Sequence, residues 1–263
     1  HAVVFGLQAF VQRYLVEAWA PFFAADEDEV ARLFEQALQG YFGPNHIGVD
    51  HVRALHRLGY LPLEIRALPE GTLAPIGVAT LTVENTVDEF FWLPNYIETA
   101  LSASIWHPST VATKALAYRD LMEEWAERTG ADPASIDFAA HDFSFRGQSS
   151  IESAAAGGAG HLLSFLGTDS MPSLDFIDRY YPGDNGLVAA SVPATEHSVM
   201  CVRGADGELA TFEQILDVYP TGIVSAVSDG FDLFKVVTET LPALKDRITA
   251  RDGKLVIRPD SGD

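Results

Sequence analysis

The spacing of apolar positions changes character near residue 136. Before that point it is mostly helical. In DEDEVARLFEQALQGYF, the residues Val30, Leu33, Phe34, Ala37, Leu38 and Tyr41 fall on one helical face. NHIGVDHVRALHRLGYL predicts a second helix. LPLEIRALPEGTLAPIGVATLTVENT alternates as strands do, with proline and glycine turns between them. FFWLPNYIETALSASIWHPSTVATKALAYRDLMEEWAERTG predicts two helices interrupted at His107 and Pro108. The acidic stretch from Glu123 to Glu127 reads as an exposed helix face.

After residue 136, strand-like runs alternate with helical patterns. The runs are SIDFAAHDFSF, HLLSFLGT, GLVAASVPA, GIVSAVSD and KLVIRPD. Between them lie SSIESAAAGGAGHL, MPSLDFIDRYY, LATFEQILDVY and GFDLFKVVTETLPALKDRI. Capping signals open two of these helices: Ser149 stands three residues before Glu152, and Thr211 three before Gln214. The repetition predicts parallel strands joined by helical crossovers, an α/β fold. The glycines of AAAGGAG, residues 154–160, lie inside a helical pattern, so close helix packing explains them better than a phosphate loop.

Each strand-like run ends in residues ill suited to a core. They are Asp142 with Arg146, Thr168 with Asp169, Glu196 with His197, Ser228 with Asp229, and Arg258 with Asp260. From Asp142 the steps to Asp169, His197, Asp229 and Asp260 are 27, 28, 32 and 31 residues. A βα unit is about thirty residues, so the polar residues recur once per unit, at the same strand end. In parallel sheets and barrels that is the end where sites assemble. Asp, Ser and Gly also leave strands as caps and turn formers. Arginine and histidine are not preferred caps, and their presence favours a site. Carboxylates in such a rim could bind a divalent ion or ribose hydroxyls. Arg146 and Arg258 could hold phosphate or stack on a planar ring. Phe143 and Phe145 offer aromatic faces, and His197 could serve as acid, base or nucleophile. The set fits an aromatic substrate combined with a phosphorylated sugar. The sequence has no G-x-G-x-x-G, G-x-x-x-x-G-K-[ST] or G-x-S-x-G pattern.

Composition narrows the classes. The chain has 263 residues, 48% of them hydrophobic, enough for a sizeable core in one or two domains. Lys plus Arg number 17 against 37 Asp plus Glu, a formal charge of -20 that repels nucleic-acid backbones. A local arginine can still hold a small phosphate. No apolar run is long enough to span a membrane, and the opening HAVVFGLQAFVQRYL does not read as a signal peptide. Lacking an initiator methionine and starting inside an amphipathic pattern, the chain reads as if its true start lay upstream. The lone Cys201 permits no internal disulfide and reads as an apolar residue, so a cytoplasmic setting is the default expectation. His46, His51 and His56 are spaced by five, which spreads them around a helix; solvated or packed histidines are expected there rather than metal ligands.

HDFSFRGQSS, FLGTDS, SVPATEHS, IVSAVSDGFD and VIRPDSG, together with FFWLPNYIETALSASIWHPSTVAT, closely resemble the nicotinamide phosphoribosyltransferase family, in order and spacing. The resemblance covers essentially the whole chain. It implies a mostly helical α+β region at 1–130, belonging to the smaller, dimer-forming part. It implies the first five βα units of a partial (β/α) barrel-like phosphoribosyltransferase domain at 131–263. The implied reaction makes nicotinamide mononucleotide and pyrophosphate from nicotinamide and phosphoribosyl pyrophosphate, a step of NAD biosynthesis. Mg2+ is expected to accompany phosphoribosyl pyrophosphate, and ATP to be an optional coupled substrate through a phosphorylated histidine. No metal-ligating residue is assigned.

The same resemblance implies roles. Phe143 would stack on the nicotinamide ring, with Arg146 near the pocket and phosphate. Asp169 would accept from the substrate amide, which favours nicotinamide over the carboxylate of nicotinate. Ser191, Ala194 and Ser225 would line the pocket and its entrance. His197 would take the ATP phosphoryl group, Asp229 and Asp260 would lie near the phosphoribosyl group and magnesium, and Arg258 would reach ring and phosphate. Read alone, His197 would be a helix-start histidine bonded to Glu196 or Ser198, and Arg258 with Asp260 a local ion pair. Ser144 and Phe145 replace the family's common glycine and tyrosine, and PATEHSV replaces PAAEHST. The family's opening aromatic segment and the part that follows RPDSG are not in the chain. That implies a split protein, a proteolytic product or a portion of a longer enzyme, completed by the C-terminal remainder and forming a homodimer. Other pyridine phosphoribosyltransferases, including a nicotinate enzyme, and a non-catalytic binding module remain the alternatives.

Overall fold

The computed structural model describes residues 1–183 and 186–261. It combines helices and short strands in two compact units, His1–Ala190 and Ser191–Asp263. Among the described residues the strands pair as four two-stranded ladders, and no closed barrel forms. No helix among them is long and apolar enough to cross a membrane.

The first unit is organised by a helix over Leu93–Thr129. Here the structure corrects the expected break at His107 and Pro108: the helix runs through the proline. A proline in a helix interior loses one hydrogen bond and crowds the preceding turn. Packing offsets that cost, because Pro108 is fully buried, its ring is set against Gly6, and its carbonyl lies close over Gly160. Gly6 has φ +99, a conformation that favours glycine, and a Cβ there would stand 3.0 Å from Pro108 Cγ. The hydroxyls of WHPSTVAT hold the chain start. Thr113 Oγ1 accepts from Val3 N–H at 2.8 Å, and Ser109 Oγ accepts from Phe5 N–H at 3.3 Å.

Against the long helix packs the helix Ile151–His161. Its cap is Ser150, which accepts from Ser153 N–H, not the expected Ser149. A Cβ at Gly160 would stand 2.6 Å from Pro108 O, and one at Gly158 would stand 3.0 Å from Asp142 Oδ2. These glycines serve close packing, as the sequence suggested. The strands Leu63–Ala67 and Leu81–Asn85 form the expected antiparallel pair, from Leu63 opposite Asn85 to Ala67 opposite Leu81. Helix Glu27–Phe42 is capped by Asp26, but its apolar face is only partly covered: Leu33 and Tyr41 are exposed, and the buried residue is Ala31. His51 packs edge-on to Phe34 and Trp92, and His56 to Phe22.

Parallel pairing begins at His141. Strand His141–Asp142 runs beside Gly167–Thr168, and Gly167 bridges to Ala190. These strands are far shorter than the apolar runs predicted. The residues before His141 form a tight helical turn over Pro133–Phe138, and His161 ends a helix instead of starting a strand. In the second unit Thr221–Val227 lies parallel to Asp252–Arg258 over seven residue pairs. GLVAASVPA is not a regular strand; within the second unit its Ala194 makes an isolated parallel bridge to Ser225. Met200, Phe212, Val224, Val227 and Val236 fill this unit's core. The helix around Thr211 starts earlier than its expected cap, at Glu208, and Thr211 Oγ1 instead donates to Gly207 O at 3.2 Å. Cys201 is half-buried, with Sγ 4.0 Å from Gly230 O.

Candidate active site

In the first unit the two parallel strands end together and deliver the predicted residues to one pocket. Asp142 is buried, and its Oδ1 accepts from Ser144 N–H at 2.9 Å. That bond opens the tight turn Ser144–Gly147, which carries Phe145 and Arg146. Burial pushes the Asp142 carboxyl up, but the Ser144 N–H and the Ser144 and Ser170 hydroxyls outweigh it, holding the group below its ordinary value. Next to it, Asp169 N–H donates to Asp142 O at 2.9 Å, extending the ladder by one residue. Phe143, Phe145, Arg146, Asp169 and Ser170 line a cavity of about 410 Å³. Phe143 and Phe145 are both exposed. Phe143, Arg146 and Asp169 are thus brought together as expected. His141 was not singled out in advance: its Nε2 lies 2.9 Å from Asp169 Oδ1, and its ring lies 4.6 Å from the Phe143 ring. The only signal was its position before Asp142 in HDFSFRG.

In the second unit the other predicted residues gather at the ends of Thr221–Val227 and Asp252–Arg258. His197 lies between two carboxylates, with Nε2 3.3 Å from Asp229 Oδ1 and Nδ1 3.7 Å from Asp260 Oδ2. His197 does start a short helix, His197–Met200, as its local reading had it, but Glu196 accepts from Ser198 Oγ. Arg258 does make the local pair with Asp260, and its Nη2 also donates to Thr195 O at 3.2 Å. Asp229 Oδ2 accepts from Asp260 N–H at 2.8 Å, Ser261 N–H at 2.7 Å and Ser261 Oγ at 2.9 Å. The Ser261 N–H, more than any other contact, lowers the Asp229 carboxyl to about 2. Ser225 is buried, with its N–H on Pro193 O at 2.8 Å, beside the exposed Ala194. Ser191 is exposed.

Thr195 and Ser261 are contributors that sequence reasoning passed over. Thr195 Oγ1 accepts from Val227 N–H at 3.0 Å, while its N–H donates to Ser225 O at 2.9 Å. A single threonine therefore ties the loop before His197 to the strand end. No motif marks such a role.

Among the described residues no three His, Cys, Asp or Glu side chains are placed to hold a metal ion alone. An ion that arrives with a diphosphate needs only one or two carboxylates. Asp229 fits that requirement: its buried Oδ1 accepts no hydrogen bond among the described residues, and Asp260 stands close by.

Each unit thus carries polar and aromatic side chains at the ends of parallel strands: an aromatic and carboxylate pocket in the first, a histidine between carboxylates in the second. Residues 138–263 match the nicotinate phosphoribosyltransferase (NAPRTase) family. The chain is 47% identical over 269 aligned positions to the nicotinamide phosphoribosyltransferase of Acinetobacter baylyi, covering 99% of this chain and 53% of the relative. It is 39% identical over 209 positions to that of Xanthomonas campestris pv. campestris, covering 78% of this chain and 44% of the relative. Against that of Mycoplasma pneumoniae it is 35% identical over 238 positions, covering 89% and 50%. The chain therefore spans about half the length of the curated relatives it matches.

Proposed function

We propose that the chain is part of a pentosyltransferase that joins nicotinamide to phosphoribosyl pyrophosphate, giving nicotinamide mononucleotide and pyrophosphate for NAD biosynthesis. One observation carries the reading: the Asp169 carboxylate lies in the same cavity as Phe143, Phe145 and Arg146. A carboxylate accepts from an amide N–H and repels a carboxylate substrate. Nicotinate, which the family name suggests, is the second reading, and it loses to the first on that charge.

The reaction is a substitution at the anomeric carbon. The pyridine nitrogen donates its lone pair to form the new N–C bond as the bond to the pyrophosphate oxygen breaks, and positive charge builds on the ribose. The neutral pyridine nitrogen needs no general base, so none is assigned. The residues' work is alignment and charge compensation. Phe143 would stack on the pyridine ring and Asp169 would orient its amide. Ser191, Ala194 and Ser225 would line the entrance. Arg146 and Arg258 would meet phosphate oxygens. Asp229 and Asp260 would hold magnesium brought by the sugar diphosphate; the ion, when bound, offsets the charge of the leaving group. His197 would take a phosphoryl group when ATP is coupled to turnover. The complete protein would close a barrel-like domain over residues 131–263 and beyond, with residues 1–130 in the smaller domain. It would act as a cytoplasmic homodimer that includes a C-terminal remainder.

The test is product formation. The full-length enzyme carrying this segment, given nicotinamide, phosphoribosyl pyrophosphate and Mg2+, is expected to release nicotinamide mononucleotide, read by chromatography. Product from nicotinate alone would replace the first reading by the second. No product from either base would end both.

A further inference from the structure

The chemistry proposed above gives no role to the imidazole of His141, which stands beside the first unit's pocket. It is held from three sides. Nε2 lies 2.9 Å from Asp169 Oδ1. The ring plane is tilted 33° from the Phe143 ring, with centroids 4.6 Å apart. On its other flank is Gly167, opposite His141 in the parallel ladder; a Cβ there would stand 2.7 Å from Nδ1. The imidazole therefore has little freedom, whereas the Asp169 side chain is 38% exposed just past its strand.

We infer that His141 is a positioning residue: it fixes the plane of the Asp169 carboxylate against the Phe143 ring, and so sets the pocket's preference for an amide over an acid. The inference rests on the nicotinamide reading of this pocket. A carboxylate oxygen has lone pairs for more than one donor, so the imidazole bond orients the group without consuming its acceptor capacity. Orientation matters because Arg146 lines the same cavity. Its guanidinium attracts a carboxylate substrate, and Asp169 repels one. A carboxylate turned out of place gives up both its grip on an amide N–H and its opposition to the arginine. The pairing of His141 with Gly167 is what makes the arrangement rigid, since any side chain at that position would push the ring.

The experiment compares wild type, His141→Leu, His141→Gln and Gly167→Ala in the full-length enzyme, with nicotinamide and nicotinate competing. His141→Leu is expected to lower the nicotinamide-to-nicotinate ratio of kcat/KM by about tenfold, the scale of one oriented charge-assisted bond. The loss should appear in the KM for nicotinamide, with the KM for phosphoribosyl pyrophosphate unchanged. His141→Gln, whose amide nitrogen can take the place of Nε2, is expected to restore most of the ratio. Gly167→Ala keeps the imidazole but displaces it, and is expected to behave like His141→Leu; it carries the test should the leucine variant fail to fold. An unchanged ratio in a folded His141→Leu or Gly167→Ala enzyme overturns the inference, as does equal behaviour of the leucine and glutamine variants. Absence of product from nicotinamide in the wild type instead overturns the functional reading beneath it.

Discussion

Gly160→Ala and Gly40→Ala are the same substitution, each in the last turn of a helix, yet the structure gives them opposite signs. At Gly160 the new methyl would lie 2.6 Å from Pro108 O and 3.2 Å from Ala112 N. Both are backbone atoms of the long helix, so no rotamer change can move them aside. The helices must part by roughly 1 Å to restore ordinary contact, where carbon atoms prefer about 3.5–4 Å. Overpacking of this kind costs about 1–3 kcal/mol, and replacing a helical glycine returns at most about 1 kcal/mol. The net expectation is a loss of about 1–2 kcal/mol. At Gly40 nothing lies within 4 Å of the new methyl. There only the propensity gain remains, about 0.5–1 kcal/mol of added stability. Because both sites are near a helix C-terminus, the propensity contribution largely cancels in the comparison. The difference, about 1–3 kcal/mol, isolates the helix contact. Urea unfolding followed by far-UV circular dichroism reads it as midpoints below and above wild type. If Gly160→Ala unfolds at or above the Gly40→Ala midpoint, the two helices are not packed backbone to backbone, and the explanation of AAAGGAG falls with them.

Other consequences can be checked with similar means. Thr195→Val removes the acceptor of the Val227 N–H, leaving a donor unpaired beside a buried strand end; a loss of about 1–3 kcal/mol is expected in the same unfolding assay. Asp229 has a folded-state carboxyl lowered from 3.8 to about 2, chiefly by the Ser261 N–H. Its contribution to stability is therefore full above the unfolded value of 3.8 and is lost as pH falls through about 2. Asp229→Asn should flatten acid unfolding in that window, and the Ser261 amide resonance should titrate there in wild type but not in the variant. On the proposed reading Asp169→Asn removes the charge that would repel an acid substrate, so the full-length variant should accept nicotinate better relative to nicotinamide; unchanged discrimination in competition assays would remove that role.

What the sequence made legible followed from spacing. The apolar alternation of 63–85 became an antiparallel pair, and the switch near 136 became parallel pairing from His141 onward. The predicted site residues Phe143, Arg146 and Asp169 meet in one pocket, and His197, Asp229, Arg258 and Asp260 meet in the second unit. What failed was decided by contacts that no local window contains. Pro108 reads as a break, but burial against Gly6 and Gly160 holds the helix through it. GLVAASVPA reads as a strand, since it is short and apolar, yet only isolated bridges at Ala190 and Ala194 form. The apolar stripe from Val30 to Tyr41 correctly marks a helix, but a stripe says nothing about whether a neighbour covers it; Leu33 and Tyr41 remain exposed.

The histidines missed or misread locally share one cause, and it lies in the parallel topology. In such a pair, residues one βα unit apart stand side by side at the same strand end. His141 and Asp169 are one unit apart, and so are His197 and Asp229. Each histidine therefore meets the carboxylate contributed by the next unit, not its sequence neighbour. That is why His197 faces Asp229 and Asp260, while Ser198 takes Glu196. The thirty-residue recurrence of polar strand ends was visible in the sequence as a list of residues. Reading it as cross-strand pairs would have directed attention to the residues around Asp142, His141 among them, as neighbours of Asp169. The same rule makes a sharp demand on substitutions: exchanging Asp169 for Asn should perturb the His141 ring resonances, while Asp137→Asn, four residues before His141 in sequence and bonded to Arg119 instead, should not. Equal perturbation by both would mean that sequence proximity, not strand pairing, builds this site.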